Sequence, residues 1–428
     1  MNEASDPEAF ATATPAGEDA KQTTTAGAIV VIGAGQAGQS LAETLRKHGY
    51  SGRIVLIGEE PVRPYQRPPL SKKYLLGEME EDRLYFRPEA YYDEHRIELR
   101  LGARVDSVDL TTRTVALAGG ETIAFDKLAF TTGSRPRMLP AAIGGDLKGV
   151  YAVRSLADID AMGPHCTAGK SVLIVGGGYI GLEAASVTAK LGLKTTVVEM
   201  APRILARVAS EATSDYFMRL HGAHGVDIKT GVGLDRLEGD GAVSRAVLTD
   251  GTAMDVDLVV VGIGIEPNSE IAEAAGVPVE NGIAVDQTGR TLSQDVYAAG
   301  DCASFPWQGT RIRLESVQNA IDQAEVAARA MLGQEARYEP VPWFWSDQYD
   351  VKLQIVGLSQ GHDQTVVRPG KDEWSQSIWY FRDGDLISVD AMNDPRAYMV
   401  GKRLLEMGRT PEQTAVQDPD LDLKSLLK

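Results

Sequence analysis

The chain has 428 residues, of which 43% are hydrophobic and 24% are charged, a composition typical of a globular protein with two or three domains. Its 43 Lys and Arg residues against 60 Asp and Glu residues give a formal net charge of −17, which argues against nucleic-acid binding and against docking on anionic membranes. The only two cysteines, Cys166 and Cys302, exclude a disulfide framework and a cysteine-built zinc or iron–sulfur site.

Residues 1–26 are rich in Ala, Thr, Glu, Asp and Pro without periodicity, and we expect them to form a disordered tail. They have neither the basic start nor the apolar core of a signal peptide. The longest strongly apolar stretch, Leu258–Ile265, is far shorter than the roughly 20 residues that span a bilayer. We therefore expect a cytoplasmic protein that does not bind membranes.

The first regular part of the sequence reads as strand, glycine-rich turn, helix and strand, with an acid after the second strand. Such a turn lets the backbone and the helix N-terminus approach a pyrophosphate, and the acid can accept hydrogen bonds from ribose hydroxyls. The order therefore predicts a dinucleotide site. The strands are residues 28–32 and 54–57, the helix is 39–48, the glycines are Gly33, Gly35 and Gly38, and the acid is Glu59, 21 residues after Gly38.

The same unit recurs 143 residues later, which is a domain length. Two such units predict two dinucleotides, most naturally a flavin and a nicotinamide. An acid in the second unit would repel a 2′-phosphate and favours NADH over NADPH, although Arg203 and Arg207 follow closely. The strands are residues 172–175 and 195–198, the helix is 182–191, the glycines are Gly176, Gly178 and Gly181, and the acid is Glu199, 18 residues after Gly181.

Beyond Pro340 the sequence changes and contains four of the five tryptophans. Alternating runs at 377–381 and 386–389 flank Arg382–Asp385, a pattern that predicts a β-hairpin. Residues Pro395–Met407 have a helical pattern. We expect a small α+β domain built on an antiparallel sheet.

Several motifs together resemble those of the FAD-dependent pyridine-nucleotide oxidoreductases with glutathione-reductase-like architecture. They are GAGQAG (33–38), RPPLSK (67–72), TTGSRPR (131–137), GGGYIGLE (176–183), GIGIEPN (262–268), AAGDCA (298–303), LESVQNA (314–320) and WFWSDQY (343–349). Within that family, the chain is similar to putidaredoxin reductase-like ferredoxin reductases from Ala28 to about Asn393.

The resemblance implies a fold and a set of domains. The fold is α/β, with two Rossmann-like dinucleotide-binding domains and a small α+β C-terminal domain that covers the flavin. The predicted parts are the tail (1–26), an FAD domain in two segments (27–140 and 271–339), an NADH domain between them (141–270) and the C-terminal domain (340–428).

The resemblance also implies site residues. Lys72 would lie beside the reactive nitrogen of the flavin, paired with Glu183, where its charge can stabilise the negative charge that develops on hydride uptake. Non-covalent FAD would contact Gly33, Gly35, Gly38, Glu59, Arg67, Arg135, Asp301, Val317 and Trp345. NADH would contact Gly176, Gly178, Tyr179, Ile180, Gly181, Glu199, Arg207 and Gly264.

The cysteine positions bear on the electron acceptor. Neither the first helix nor the RPPLSKKYL segment contains a cysteine, so we expect no redox-active pair and regard Cys166 and Cys302 as inert thiols. Electrons would then leave the flavin for a one-electron carrier. The resemblance implies a two-iron, two-sulfur ferredoxin that feeds a monooxygenase or ring-hydroxylating dioxygenase, with rubredoxin as the alternative.

Such carriers are usually acidic, so docking on this acidic chain requires a local basic patch. Arg311 and Arg313 precede the LESVQNA motif and are the predicted contacts, and Lys402, Arg403 and Arg409 form a second basic group. The six histidines have no metal-ligand spacing, and no metal site is predicted. Asp301 by itself also fits a helix N-cap after the Ala298–Gly300 turn.

Two functions of other kinds stay open. One is an NADH oxidase or peroxidase that uses oxygen directly, although the chain has no cysteine at the expected flavin-side positions. The other is a non-enzymatic protein in which NADH binding drives a conformational or association change, as in apoptosis-inducing-factor-like proteins.

Overall fold

The computed structural model describes residues 28–428, so the predicted disordered tail lies outside the described residues. The segment up to residue 140 contains β1 (Ile29–Ile32), α1 (Gln36–Lys47), β2 (Ile54–Ile57), a π-helical turn (Leu70–Tyr74), a 3₁₀ turn (Glu81–Arg83), α2 (Glu89–Glu94), β3 (Ile97–Arg100), β4 (Val105–Asp109), β5 (Thr114–Leu117), β6 (Thr122–Ala124), β7 (Lys127–Phe130) and β8 (Ser134–Pro136).

The next segment contains a 3₁₀ turn (Ala141–Ile143), β9 (Val150–Ala152), α3 (Leu156–Met162), a 3₁₀ turn (Gly163–His165), β10 (Ser171–Val175), α4 (Tyr179–Lys190), β11 (Lys194–Glu199), α5 (Glu211–Ala223), β12 (Asp227–Thr230), β13 (Leu234–Glu238), β14 (Arg245–Leu248), β15 (Ala253–Asp255) and β16 (Leu258–Val261). The chain then forms β17 (Ile265–Pro267), α6 (Glu270–Ala274), β18 (Ile283–Ala284), β19 (Val296–Ala298), β20 (Ala303–Trp307), β21 (Thr310–Ile312) and α7 (Val317–Met331).

The C-terminal segment begins at Trp343. It contains β22 (Trp343–Gln348), β23 (Val351–Gly357), β24 (Gln364–Pro369), β25 (Gln376–Arg382), β26 (Asp385–Met392), α8 (Pro395–Glu406), α9 (Gln413–Gln417) and a 3₁₀ turn (Leu423–Leu427).

Two five-stranded parallel sheets repeat one design. The first has the order β3-β2-β1-β7-β19, and the second has the order β12-β11-β10-β16-β9. In each repeat, a three-stranded antiparallel sheet precedes one strand of the parallel sheet in the chain. The sheet β4-β5-β6 precedes β7 in the first repeat, and the sheet β13-β14-β15 precedes β16 in the second. The repeated glycine motif therefore marks a repeated domain, and the predicted α/β fold class is confirmed.

Both parallel sheets are buried on both faces, which explains their unbroken apolar strands. In β1, Val30 and Ile32 pack into one hydrophobic cluster and Ile29 and Val31 into another. The same alternation divides β10 and β16 between two further clusters. A two-stranded ribbon of β8 and β17 joins the segments where the chain leaves the first sheet and returns to it.

The C-terminal segment forms the predicted antiparallel sheet, in the order β22-β23-β26-β25-β24. The predicted hairpin lies between β25 and β26, where Asp383 and Gly384 both adopt positive φ. The predicted helix is α8, with Pro395 in its first turn and Asp394 as its N-cap. Among the described residues, no helix is long and apolar enough to cross a membrane.

Two local predictions differ from the structure. The helices of both glycine units begin three residues earlier than expected, because Gly35 and Gly178 already serve as the N-caps of α1 and α4. The helix-cap interpretation of Asp301 is wrong, since strand β20 follows this residue.

Candidate active site

One cavity of about 1420 Å³ connects the two parallel sheets and the C-terminal sheet. Both glycine turns open into it, and Phe344 and Trp345 of β22 contribute to its wall. The carboxyl ends of parallel strands meet at this place, which is where α/β sheets bind their ligands. The cavity is therefore the candidate binding site for two dinucleotides.

The first glycine turn fits a pyrophosphate because its glycines have different surroundings. A Cβ atom on Gly33 would lie 2.2 Å from the Thr131 carbonyl oxygen, and one on Gly38 would lie 2.0 Å from the Gly33 carbonyl oxygen. A Cβ on Gly35 would meet no protein atom within 4 Å. Gly33 and Gly38 thus permit close packing, whereas Gly35 leaves open space at the N-terminus of α1, whose N-cap makes no side-chain hydrogen bond.

The second turn has the same arrangement. A Cβ on Gly176 would lie 2.3 Å from the Gly262 carbonyl oxygen, and one on Gly181 would lie 2.1 Å from the Gly176 carbonyl oxygen. Gly178 again faces open space at an N-cap without a side-chain hydrogen bond. Both turns therefore have free N–H groups and room for an anion.

The two acids predicted to contact ribose differ in their own contacts. Glu59 is exposed, lines the cavity and makes no hydrogen bond or ion pair within the described residues. Glu199 accepts hydrogen bonds from the N–H groups of Gly177 (2.7 Å) and Ala201 (2.8 Å), one on each carboxylate oxygen. Glu199 is thus held at the cavity wall before any ligand binds.

Two arginines near Glu199 also differ. Arg203 donates to the Ser214 hydroxyl (2.7 Å) and to the carbonyls of Ser210 and Ala206, so it braces the loop before α5. Arg207 is exposed, lines the cavity and has no ion-pair partner within residues 28–428. Only Arg207 is available to a ligand on this side, where Ile180 and Gly264 also line the cavity.

The predicted FAD arginines lie at the cavity in ion pairs. Arg67 contacts Glu60 at 2.5 Å and donates to the Arg154 carbonyl at 2.7 Å. Arg135 is more exposed and pairs with Glu266 (2.9 Å) and Glu270 (2.6 Å).

Arg154 is a cavity residue that the sequence analysis missed. It donates to Asp301 at 3.2 Å, and Asp301 also accepts from the Ser134 hydroxyl at 2.8 Å. Burial lowers the pKa of Arg154. A single arginine after a short strand has no motif around it, so only the tertiary structure identifies it.

Lys72 and Glu183, which are 111 residues apart, form an ion pair of 2.6 Å at the cavity. Their side chains are 17% and 5% exposed. Lys72 also donates to the Pro68 carbonyl at 3.3 Å, and its backbone departs from helical geometry inside the π-helical turn. The second oxygen of Glu183 accepts from the Ser346 hydroxyl at 2.7 Å. The structure thus brings the predicted pair together, and its role toward a flavin stays a prediction.

Aromatic residues complete the cavity. Tyr179 and Phe344 pack edge to face with centroids 5.4 Å apart, and the buried Tyr179 hydroxyl has no hydrogen-bond partner among the described residues. Trp345 lies 5.8 Å from Trp343, centroid to centroid. Val317 lines the cavity as the first residue of α7.

The predicted partner arginines are engaged inside the protein. Arg311 donates to the carbonyls of Val285 (3.0 Å) and Ser304 (2.6 Å). The Arg313 side chain is only 9% exposed and pairs with Glu315 at 2.8 Å. Their role in docking stays a prediction, and these contacts argue that both arginines brace the loop before α7.

Neither cysteine lines the cavity, and both are free and buried. Burial raises the pKa of Cys166 to about 11 and also raises the pKa of Cys302. They lie in different hydrophobic clusters, Cys166 with the second parallel sheet and Cys302 with the first. Within residues 28–428, no group of His, Cys, Asp or Glu side chains could hold a metal ion.

Comparison with known proteins adds independent information. Residues 27–324 match the family model for pyridine nucleotide-disulphide oxidoreductases, and residues 343–427 match the model for the reductase C-terminal domain. A ferredoxin–NAD(P)(+) reductase of Sphingomonas sp is 44% identical, and the alignment covers 93% of this chain and 97% of that protein. A rubredoxin–NAD(+) reductase of Pseudomonas putida is 37% identical over 86% of this chain and 96% of its own length.

A solved structure is also similar. The covalent complex of putidaredoxin reductase with putidaredoxin contains a chain that is 36% identical, with a TM-score of 0.91, over 94% of this chain and 98% of that one. Members of this family use FAD and a pyridine nucleotide, and the two glycine turns with their open N-termini fit both. The chain therefore belongs to the pyridine nucleotide-disulphide oxidoreductases, and within them to the ferredoxin–NAD(P) reductases that include putidaredoxin reductase.

Proposed function

We propose that this enzyme transfers electrons from NADH to a two-iron, two-sulfur ferredoxin that serves a monooxygenase or a ring-hydroxylating dioxygenase. The single observation that carries the proposal is the composition of the cavity. It joins two dinucleotide-type turns and a buried lysine–glutamate pair, and it contains no cysteine. Bound FAD would supply the step from two-electron hydride chemistry to single-electron transfer.

Each glycine turn would bind one of the two dinucleotides. The turn at Gly35 would hold the FAD pyrophosphate, with Arg67 and Asp301 at the remaining cavity wall. The turn at Gly178 would hold NADH, with Glu199 accepting hydrogen bonds from its ribose. Lys72 would hold a positive charge where reduction adds negative charge.

A preference for NADH rests on Glu199. Its carboxylate is fixed by two backbone N–H groups and would repel a 2′-phosphate. NADH should therefore give the higher kcat/KM, and equal use of NADPH would contradict this part of the proposal.

The acceptor is tested with purified carriers. Anaerobic NADH-driven reduction of a panel of two-iron, two-sulfur ferredoxins and rubredoxins is followed by absorbance, after the spectrum has established bound FAD. Rapid reduction of at least one ferredoxin, faster than of any rubredoxin, is the expected result. Faster reduction of rubredoxin would favour the second candidate acceptor, which the similarity to the rubredoxin reductase of Pseudomonas putida supports.

Two further assays separate the other two functions: an aerobic reaction with NADH and no carrier, and an anaerobic reaction with NADH alone. Fast oxygen consumption without a carrier would favour an NADH oxidase or peroxidase. Slow flavin reduction followed by a long-lived complex with NAD would favour an NADH-responsive binding protein. Either result, together with no ferredoxin reduction, would overturn the proposed function.

A further inference from the structure

A line of hydrogen bonds leads from Glu183 away from the cavity. Ser346 donates to the Glu183 oxygen that does not contact Lys72 (2.7 Å), and Gln348 donates to Ser346 (3.2 Å). The side-chain amide oxygen of Gln348 lies 2.7 Å from Nε2 of His221. The other ring nitrogen of His221, Nδ1, lies 3.2 Å from the Tyr349 hydroxyl.

Three elements supply this line. Glu183 lies on α4 and His221 on α5, whereas Ser346 and Gln348 both lie on β22. Because side chains two residues apart on a strand point to the same face, Ser346 and Gln348 can form consecutive links. The line therefore crosses between the second parallel domain and the C-terminal sheet.

The donors and acceptors allow one direction only. The ionised Glu183, paired with Lys72, can only accept, so the Ser346 hydroxyl must donate to it. The Ser346 oxygen must then accept from the amide nitrogen of Gln348, which turns the Gln348 carbonyl oxygen toward His221.

The orientation continues to the end of the line. His221 must carry its proton on Nε2 to donate to Gln348, and its Nδ1 then accepts from the Tyr349 hydroxyl. Every link thus donates toward the carboxylate.

The middle of the line is closed to solvent. Ser346, Gln348 and His221 are each at most 1% exposed, and none of the three lines the cavity. Burial lowers the pKa of His221 to about 4, so the ring is neutral at physiological pH, as a single Nε2 proton requires. Hydrogen bonds strengthen one another in such a low-dielectric environment, and a missing partner there is costly.

We propose that Ser346, Gln348 and His221 are positioning residues that fix the Glu183 carboxylate and, through it, hold the Lys72 ammonium at the flavin side of the cavity. Both oxygens of Glu183 have a partner although its side chain is only 5% exposed, so the carboxylate is held on two sides. The inference rests on the proposed function only in that Lys72 acts on a bound flavin.

Four single variants test the proposal in the FAD-loaded protein. S346A removes the bond to Glu183, Q348M and H221L remove the next two links with little change in volume, and Y216F is the matched control. Tyr216 is also a buried residue of α5 whose hydroxyl donates to the C-terminal segment, at the Trp374 carbonyl (2.9 Å), but it has no link to Glu183. Melting temperatures establish that all four variants fold.

The readouts are the midpoint potential of the bound flavin and NADH-driven ferricyanide reduction. S346A should lower kcat about tenfold. It should also weaken stabilisation of the reduced flavin about tenfold, which for a two-electron couple shifts the midpoint potential by roughly −30 mV. Q348M and H221L should lower kcat about threefold, because their loss acts through Ser346. KM for NADH should stay unchanged in all four, and Y216F should behave as the wild type.

A double-variant cycle tests whether the line acts through Lys72. In a K72M background, the effects of S346A, Q348M and H221L on the flavin potential should disappear. H221Q, which keeps an N–H donor facing Gln348, should retain the wild-type potential. Effects that persist in the K72M background, or an unchanged potential in S346A and Q348M, would overturn the proposal.

Failure of the proposed function and failure of this inference give different results in these experiments. If no ferredoxin is reduced but ferricyanide reduction and the potential change as described, the inference holds and the acceptor is wrong. If ferredoxin reduction is fast and the variants match the wild type, the inference is wrong and the function stands.

Discussion

At the scale of single residues, the ion pair between Lys72 and Glu183 is the feature to which we assign the proposed chemistry. Residue type alone does not indicate a functional role for either residue, since lysines and glutamates are usually exposed. Motif resemblance pointed to the pair, and the structure brings the two residues to 2.6 Å.

Replacement of Lys72 by Met should lower the rate of flavin reduction by NADH about tenfold or more, because it removes the positive charge that we propose stabilises the reduced flavin. Rapid-mixing absorbance measures this rate. Lys73→Met is the control, since Lys73 is exposed and has no ion pair within the described residues. Equal rates for Lys72→Met and the wild type would contradict the proposed role.

We propose that nucleotide choice also depends on single residues. Replacement of Glu199 by Ser removes the fixed anion and leaves the exposed Arg207 beside the cavity. The ratio of kcat/KM for NADPH to that for NADH should rise about tenfold. Adding Arg207→Ala should cancel much of this increase in the ratio. An unchanged ratio in Glu199→Ser would show that neither residue contacts the 2′ position of the nucleotide ribose.

At the scale of elements, the two glycine turns can be tested against each other. A methyl group at Gly35 or Gly178 meets no protein atom within 4 Å, so alanine is compatible with the fold but occupies the space assigned to a pyrophosphate. Gly35→Ala should lower the FAD content of the purified protein about tenfold, as measured by visible absorbance. Gly178→Ala should keep FAD and raise KM for NADH by a similar factor, and the opposite pattern would exchange the two assignments.

The end of the chain is an element that the sequence did not predict. Buried Arg368 on β24 donates to the carbonyls of Val416 (3.0 Å), Asp418, Pro419 (3.0 Å) and Leu421 (2.8 Å). Val416 is buried as well. One guanidinium group thus anchors the segment after α8, which lies beyond the motifs found in the sequence analysis.

Arg368→Met should release this anchor and destabilise the C-terminal segment by about 3 kcal/mol, because several charge-assisted hydrogen bonds are lost. Limited proteolysis should then cleave after α8 much faster than in the wild type. Arg382→Met, a change at the exposed end of β25, is the control. Equal cleavage rates in the Arg368 variant and the control would contradict the anchoring role.

At the scale of the whole molecule, the C-terminal sheet is joined to α5 through a buried carboxyl group. Asp390 accepts from Tyr380 (2.5 Å) on its own sheet and from Thr213 (2.8 Å) on α5. Burial raises the pKa of Asp390 to about 6, although both hydrogen bonds act to lower it. Because the folded pKa lies above the unfolded value of 3.8, ionisation destabilises the fold as pH rises from about 4 through 6.

Asp390→Asn should therefore stabilise the protein at pH 7.5, by up to about 3 kcal/mol, and the gain should fall by roughly half at pH 5. His221 has the opposite dependence, since its lowered pKa costs stability as pH falls below about 6.5, but this contribution is common to variant and wild type. Melting temperatures of both proteins at the two pH values measure the difference. A gain that does not decrease toward pH 5 would contradict the raised pKa.

The sequence by itself determined the two parallel domains and both glycine turns, because apolar strands and glycine spacing are local patterns. It also indicated the C-terminal hairpin and the helix α8, from turn residues and a proline. It did not predict that Arg154 lies at the cavity or that Arg311 and Arg313 make contacts inside the protein. It also did not predict the line of hydrogen bonds from Glu183 to Tyr349. Those features depend on tertiary contacts: Arg154 reaches Asp301, and Arg311 reaches the carbonyls of Val285 and Ser304. The packing of the C-terminal sheet against α4 and α5 brings Glu183, Ser346 and His221 into one line of hydrogen bonds.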